Sequence, residues 1–117
     1  MREWWDWLYW RCRRWFSWRY VLASKRSSQW RKVRAAHLKT QPVCQACGRS
    51  KDLDVHHIVP FHVDPSKELD PDNLITLCGS PCHIVFGHFL SYHCYNENVV
   101  EMARAYRAAF DTRSCSR

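Results

Sequence analysis

At 117 residues the chain has room for one small domain and an arm, with a core modest enough to benefit from a staple. Its seven cysteines, an odd number, argue against a fully paired disulfide framework, and no stretch approaches the roughly 18 consecutive apolar residues of a membrane span. The net charge of +7 conceals an asymmetry: residues 1–40 hold eleven Lys and Arg against only Glu3 and Asp6, so all the excess positive charge sits in the N-terminal third. A block of that kind points to a polyanion, nucleic acid or an anionic surface, with a solvated face as the plain alternative. The first residues lack the basic head, smooth apolar run and cleavage site of a secretion signal, which sets the expectation of a cytoplasmic protein in a reducing compartment.

Residues 2–22 interleave six tryptophans with arginines. Wound as a helix, Trp4, Trp7, Leu8, Cys12, Trp15, Phe16 and Trp18 gather on one side, opposite Arg2, Asp6, Arg13, Arg14 and Ser17. Residues 1–25 therefore read as an amphipathic arm. Three uses fit: packing on the domain or a second copy, lying in a membrane interface, or stacking on unpaired bases. Packing, including a homodimer or larger assembly built through the arm, comes first; a membrane comes last.

After a polar hinge, a helix is predicted with Ser27 or Ser28 as its N-cap and Pro42 beyond its end. Trp30, Val33, Ala36 or His37, and Leu38 would face inward. Arg31, Lys32, Arg34 and Lys39 form a basic ridge and are the phosphate-binding candidates. Then comes Cys44-x-x-Cys47 with Gly48 directly behind it, a knuckle that aims two sulfurs at one focus. Strands are predicted at "LDVHHIVPF" and at Leu74 to Cys78, joined by a loop with prolines at 60, 65 and 71. Pro81 opens a helix through "PCHIVFGHFLSYH". A last helix starts at an Asn98/Glu101 capping box and carries Val99, Met102, Ala103, Tyr106 and Phe110 on one face; residues 113–117 read as a disordered tail.

Cys44, Cys47, Cys78 and Cys82 supply the four soft ligands of a closed tetrahedral zinc site. That zinc brackets the loop containing His56 and His57. Neighbouring strand residues point to opposite faces, so the two imidazoles look in different directions. His56, with His83 from the first turn of the next helix, offers two neutral ligands for an open metal site. His57 is then free to act as a base across a bound phosphate, at a pKa suited to neutral solution.

The motifs "DVHHIVP", "DPDNLITLC" and "CH", in this order within two cysteine pairs, resemble the HNH family of ββα-metal (His-Me finger) nucleases. The resemblance covers Cys44 to His88. It implies an α+β fold, a small ββα-metal domain with a structural zinc and flanking N- and C-terminal helices, over residues 26–112. It further implies a metal-dependent endonuclease hydrolysing phosphodiester bonds in DNA, with His57 as general base and Asn73 bracing the loop and orienting that base by hydrogen bonding. His56 and His83 would hold the catalytic ion, Mg²⁺ or, given two imidazoles and no carboxylate, Mn²⁺, Ni²⁺, Co²⁺ or Zn²⁺.

Some family members carry a further histidine one helical turn after the final one. Here that position is Gly87, and His88 is displaced by one. His88 is left between a metal or phosphate contact and a packing role. His62 falls in the acidic loop, where a solvated side chain is the simpler reading, and His37 and His93 carry no signal of their own. The alternative to an enzyme is a non-catalytic, zinc-stapled nucleic-acid-binding module, which keeps the cysteines and basic arm but gives no reason for His56, His57, Asn73 and His83 together.

Overall fold

The computed structural model describes residues 26–114. The Trp/Arg-rich arm, and with it any dimer contact it makes, lies outside the described residues, as do Cys115 and the end of the expected tail. In chain order the elements are helix α1 (Trp30–Thr40), strand β1 (Leu53–His57), two 3₁₀ turns (Pro65–Lys67 and Pro71–Asn73), strand β2 (Leu74–Cys78), a π-helical turn (His83–Gly87) and helix α2 (Val99–Ser114). The architecture is the small α+β arrangement expected from the sequence.

α1 is built from good helix formers and starts just after the predicted caps. Ser27 Oγ accepts from the Gln29 N–H at 3.2 Å, while the Ser27 amide donates to the Glu68 carboxylate at 3.1 Å, which ties the helix entry to the loop between the strands. Gln29 occupies the cap position in a helical conformation, with no side-chain cap bond. At the other end the His37 carbonyl accepts from both Thr40 Oγ1 and the Gln41 N–H. Of the inward candidates, His37 is buried, Trp30, Val33 and Leu38 are half-buried, and Ala36 is exposed.

The strands form an antiparallel hairpin in the register Leu53 with Cys78 through His57 with Leu74. Cross-strand partners share a face, so Asp54, His56, Ile75 and Leu77 line one side and Val55, His57, Leu74 and Thr76 the other. A two-stranded ribbon alone is marginal. Here the free edge of β2 is closed by the chain on either side of the first cysteine: Thr76 N–H donates to Gln41 Oε1 at 3.1 Å, and its carbonyl accepts from the Gln45 N–H at 3.0 Å. All five β2 residues are buried.

The loop between the strands is ordered by two Asp-Pro turns. Asp64 Oδ1 accepts from the Ser66 N–H and Asp70 Oδ1 from the Asp72 N–H, each with proline opening the turn behind it. Buried Cys44, Ala46, Ile75, Leu77, Cys78 and Cys82 make the core with Val99 and Ala103 of α2, so the cysteine cluster is itself part of the core.

Two expectations need correction. The helix expected from Pro81 through His93 is helical only from Cys82 to His88, is π-wound over His83–Gly87, and stops where Phe89 and Leu90 adopt positive φ angles of 50° and 66°. On α2, Val99 and Ala103 are buried but Met102, Tyr106 and Phe110 are 38–49% exposed, so the apolar face is only partly covered. The turn into α2 is held by Asn96, whose Oδ1 accepts from the Asn98 N–H at 2.9 Å, and the helix continues through Ser114.

Candidate active site

The sulfurs of Cys44, Cys47, Cys78 and Cys82 all lie within 4.8 Å of one another, and Cys47 and Cys78 are 3.8 Å apart. Zinc–sulfur bonds of about 2.3 Å require tetrahedral edges of about 3.8 Å, so this donor set fits zinc. Gly48 sits at the knuckle with φ 78°, in the left-handed region that other residues enter only with strain, and the Arg107 guanidinium of α2 lies over it. Burial pushes the Cys82 and Cys78 thiols up; at Cys44 burial is outweighed by hydrogen bonds from the backbone N–H groups of Cys47, Cys78 and Ala46, which bring it down to about 7. A thiolate is thereby favoured first at Cys44, and a bound cation is what would stabilise the others.

One residue beyond Cys82 a second cluster begins. One ligand nitrogen each from His56, His83 and His88 fall within 4.8 Å of one another. The π-turn explains how His88 joins. In an α-helix, five positions carry a residue about 140° around the axis from His83. The wider π winding, with its i to i+5 repeat, returns His88 to the same side.

Burial disfavours the charged form of two of the three imidazoles. His56 is 4% exposed, its Nε2 has no hydrogen-bond partner, and burial, with His83, His88 and His57 nearby, drives its pKa down to about 3. His83 is likewise lowered by burial and by His88, against the opposing pull of Asp54, whose Oδ2 lies 3.4 Å from His83 Nδ1. His88 Nδ1 faces the Cys94 carbonyl at 2.8 Å and donates to it in that tautomer. A partner on Nδ1 leaves Nε2 as the ligand atom in both residues, the usual support of a metal-binding histidine. The orphaned Nε2 of His56 and a donor set of three imidazoles fit a borderline divalent cation such as Zn²⁺, Ni²⁺, Co²⁺ or Mn²⁺ better than Mg²⁺, which prefers oxygen ligands.

His57 looks the other way, as strand alternation requires. Its ring lies 4.5 Å from that of Trp30 on α1, tilted by 31°, and its Nε2 is 3.0 Å from the Glu68 carbonyl. Donation from Nε2–H leaves the Nδ1 lone pair as the basic site. Burial lowers the His57 pKa, with the Glu68 hydrogen bond pulling the opposite way. Asn73 is buried and touches backbone rather than His57: its Oδ1 accepts from the Val59 N–H at 2.8 Å, and its Nδ2 donates to the Val59 and Lys67 carbonyls. It pins the exit of β1 to the far end of the loop that carries Glu68.

His56, His57, His83 and His88 line one cleft of about 590 Å³ with Arg26, Trp30, Arg34, Asp54 and Tyr92. Of the phosphate candidates only Arg34 reaches it, donating to the Leu53 carbonyl and lying 3.8 Å from Asp54. Arg31, Lys32 and Lys39 stand on the exposed side of α1. His62 and His93 border the cleft as exposed side chains, while His37, buried with Nε2 unpartnered, is not among its lining residues.

Two contributors escaped the sequence reading. Asp54 was legible in principle, since a carboxylate two residues before a strand histidine shares its face. Arg26, stacked over Trp30 and Phe61 at 5.7 and 5.8 Å, left no such signal. Gly87, a glycine within a helical stretch, is a sequence sign of a close approach, and the group it admits is the His56 ring.

Comparison with curated proteins and with solved structures finds no match. Comparison with protein families matches the HNH endonuclease family over residues 44–84, from the first zinc-knuckle cysteine to the residue after His83. That span, about a third of the chain, holds both cysteine pairs, the hairpin with His56 and His57, Asn73 and the start of the π-turn, and it is over this segment that the chain is similar to the HNH endonuclease family.

Proposed function

We propose that this chain is a metal-dependent endonuclease that hydrolyses phosphodiester bonds in DNA. The observation that carries the reading is the output of two consecutive strand residues: His56 completes a three-histidine cluster on one face, and His57 presents a neutral, tautomer-fixed imidazole on the other, both bordering one cleft. A divalent ion held by His56, His83 and His88 would supply Lewis-acid neutralisation of charge on the phosphate and the departing oxygen. His57 Nδ1 accepts a proton from water as the water oxygen bonds to phosphorus; the opposite P–O bond breaks, and its electron pair leaves on the departing oxygen, which takes a proton from solvent. The Glu68 carbonyl fixes the tautomer and Trp30 fixes the ring. Arg26 and Arg34 draw the phosphate backbone into the cleft, and the basic N-terminal third makes binding strongly salt-dependent.

The test is cleavage of supercoiled plasmid by zinc-loaded protein with Mn²⁺, Ni²⁺, Co²⁺, Zn²⁺ or Mg²⁺, beside an EDTA control and His57→Ala. Cleavage that EDTA abolishes and that falls by about 10²- to 10⁴-fold in the variant supports the reading. A folded, zinc-loaded protein that shifts DNA but cuts it with no metal overturns it in favour of a zinc-stapled binding module.

A further inference from the structure

We infer that Asn96 is a positioning residue for the three-histidine site, holding the π-turn in the winding that brings His88 to His56 and His83. The inference rests on the metal site described above. A π-turn is a strained choice, and this one ends abruptly at two left-handed residues, so the carbonyls of its last residues lack the helical donors that a continuing helix would supply. Asn96, 3% exposed, provides them. Its Nδ2 donates to the Phe86 carbonyl at 2.8 Å, and its backbone N–H donates to the Gly87 carbonyl at 3.0 Å. Two residues upstream, the Cys94 carbonyl accepts from His88 Nδ1. Three consecutive residues, Phe86, Gly87 and His88, are thus clamped by the segment Cys94–Asn96.

The remaining valences of Asn96 are also used. Nδ2 lies 3.0 Å from Met102 Sδ, and Oδ1 accepts from the Asn98 N–H, so the clamp is anchored to α2 and through it to the zinc knuckle, where Arg107 covers Gly48. Without the Nδ2 donor the Phe86 carbonyl is buried beside an acceptor or a void. Rewinding to α satisfies it at the cost of swinging His88 out of the cluster. Asn96 does not line the cleft, so its effect on metal binding runs through the turn alone.

The decisive variant is Asn96→Asp, which keeps the size and the acceptor to Asn98 but loses the donor to Phe86. Calorimetric titration of zinc-loaded protein with Ni²⁺ is expected to show about 10- to 100-fold weaker binding, the usual cost of losing a group that orients a metal ligand, with zinc content unchanged. Val100→Ala, which trims a half-buried residue of α2 packed on the core, is the control for general destabilisation and should leave Ni²⁺ affinity as in the wild type. Long-range ¹⁵N–¹H spectra without Ni²⁺ give a second readout: His88 carries its proton on Nδ1 in the wild type and becomes a tautomer mixture in Asn96→Asp. Unaltered Ni²⁺ affinity and an unaltered His88 tautomer in Asn96→Asp would overturn the inference, as would an equal loss of affinity in Val100→Ala. A wild type that binds no Ni²⁺ refutes the three-histidine metal reading instead, and the tautomer comparison then still decides whether Asn96 holds His88.

Discussion

Replacing Gly87 with alanine separates the metal site from the fold more cleanly than any ligand substitution. The glycine does not have a positive φ, so alanine is free of backbone strain, and a helical Gly→Ala change ordinarily stabilises by about 1 kcal/mol. The obstacle is local: a β-carbon there would stand 2.9 Å from His56 Cε1, 3.0 Å from Nδ1 and 3.2 Å from Nε2. Ordinary contact begins at 3.4 Å, so the ring must retreat by at least 0.5 Å, the difference between 3.4 and 2.9. Metal–ligand distances tolerate only about 0.2 Å. The ring can keep its ligand position only by leaving its rotamer, at roughly 0.5–1.5 kcal/mol, which weakens metal binding about 2- to 13-fold. If His56 is lost as a ligand the fall is larger. Ni²⁺ titration of the zinc-loaded variant, with a thermal melt beside it, measures both sides: weaker Ni²⁺ binding and slower cleavage at undiminished thermal stability. A variant that binds Ni²⁺ as tightly as the wild type while keeping its stability would show that the close approach of Gly87 imposes nothing on His56.

Three further outcomes are expected. Cys47→Ser removes one thiolate from a cluster that is part of the core, so zinc content should fall and the cooperative thermal transition broaden or vanish; a sharp melt in zinc-free protein would contradict this. Asp54→Asn leaves His83 Nδ1 without its carboxylate, and Ni²⁺ affinity should drop about 10- to 100-fold with the melting temperature nearly unchanged. His37 is buried, and burial holds its pKa below the usual 6.5 against the pull of Gln41. The unfolded chain therefore takes up the proton first, and the stability due to neutral His37 is present above pH 6.5 and lost as pH falls through the lower folded value. His37→Leu should flatten the slope of stability between pH 7 and 5 by up to about 1.4 kcal/mol per unit, the weight of one proton. Urea melts across that range check it, and an unchanged slope would mean that His37 titrates alike in both states.

The cysteine spacing and the paired histidines were readable because each depends on short-range geometry, a knuckle and an alternating strand; Asn73 was reached only through the resemblance, and its bonds go to the Val59 and Lys67 backbone rather than to His57. The hairpin register then placed His56 and His57 on opposite faces as expected. His88 was not readable, because the period assumed was that of an α-helix and the decision to wind as π is made elsewhere, by a buried Asn96 whose partners lie about ten positions away in sequence. The basic ridge on α1 was legible as charge but not as a surface: Arg34 turns toward β1, whereas Arg31, Lys32 and Lys39 follow the helix away from the cleft. Arg26 entered through a stack on Trp30 and Phe61, a contact between segments that no local pattern encodes.

Cys82 and His83 are joined by a single peptide bond, so the two candidate metal centres share one stretch of backbone with no slack between them. An oxidant or chelator that strips the thiolates acts one residue from the three-histidine cluster, and cannot loosen the first centre without disturbing the second. Insertions face the same limit: one residue added between Cys82 and His83 has nowhere to go except into the geometry of one centre or the other. Damage to the cysteine cluster would then reach the histidine cluster as well.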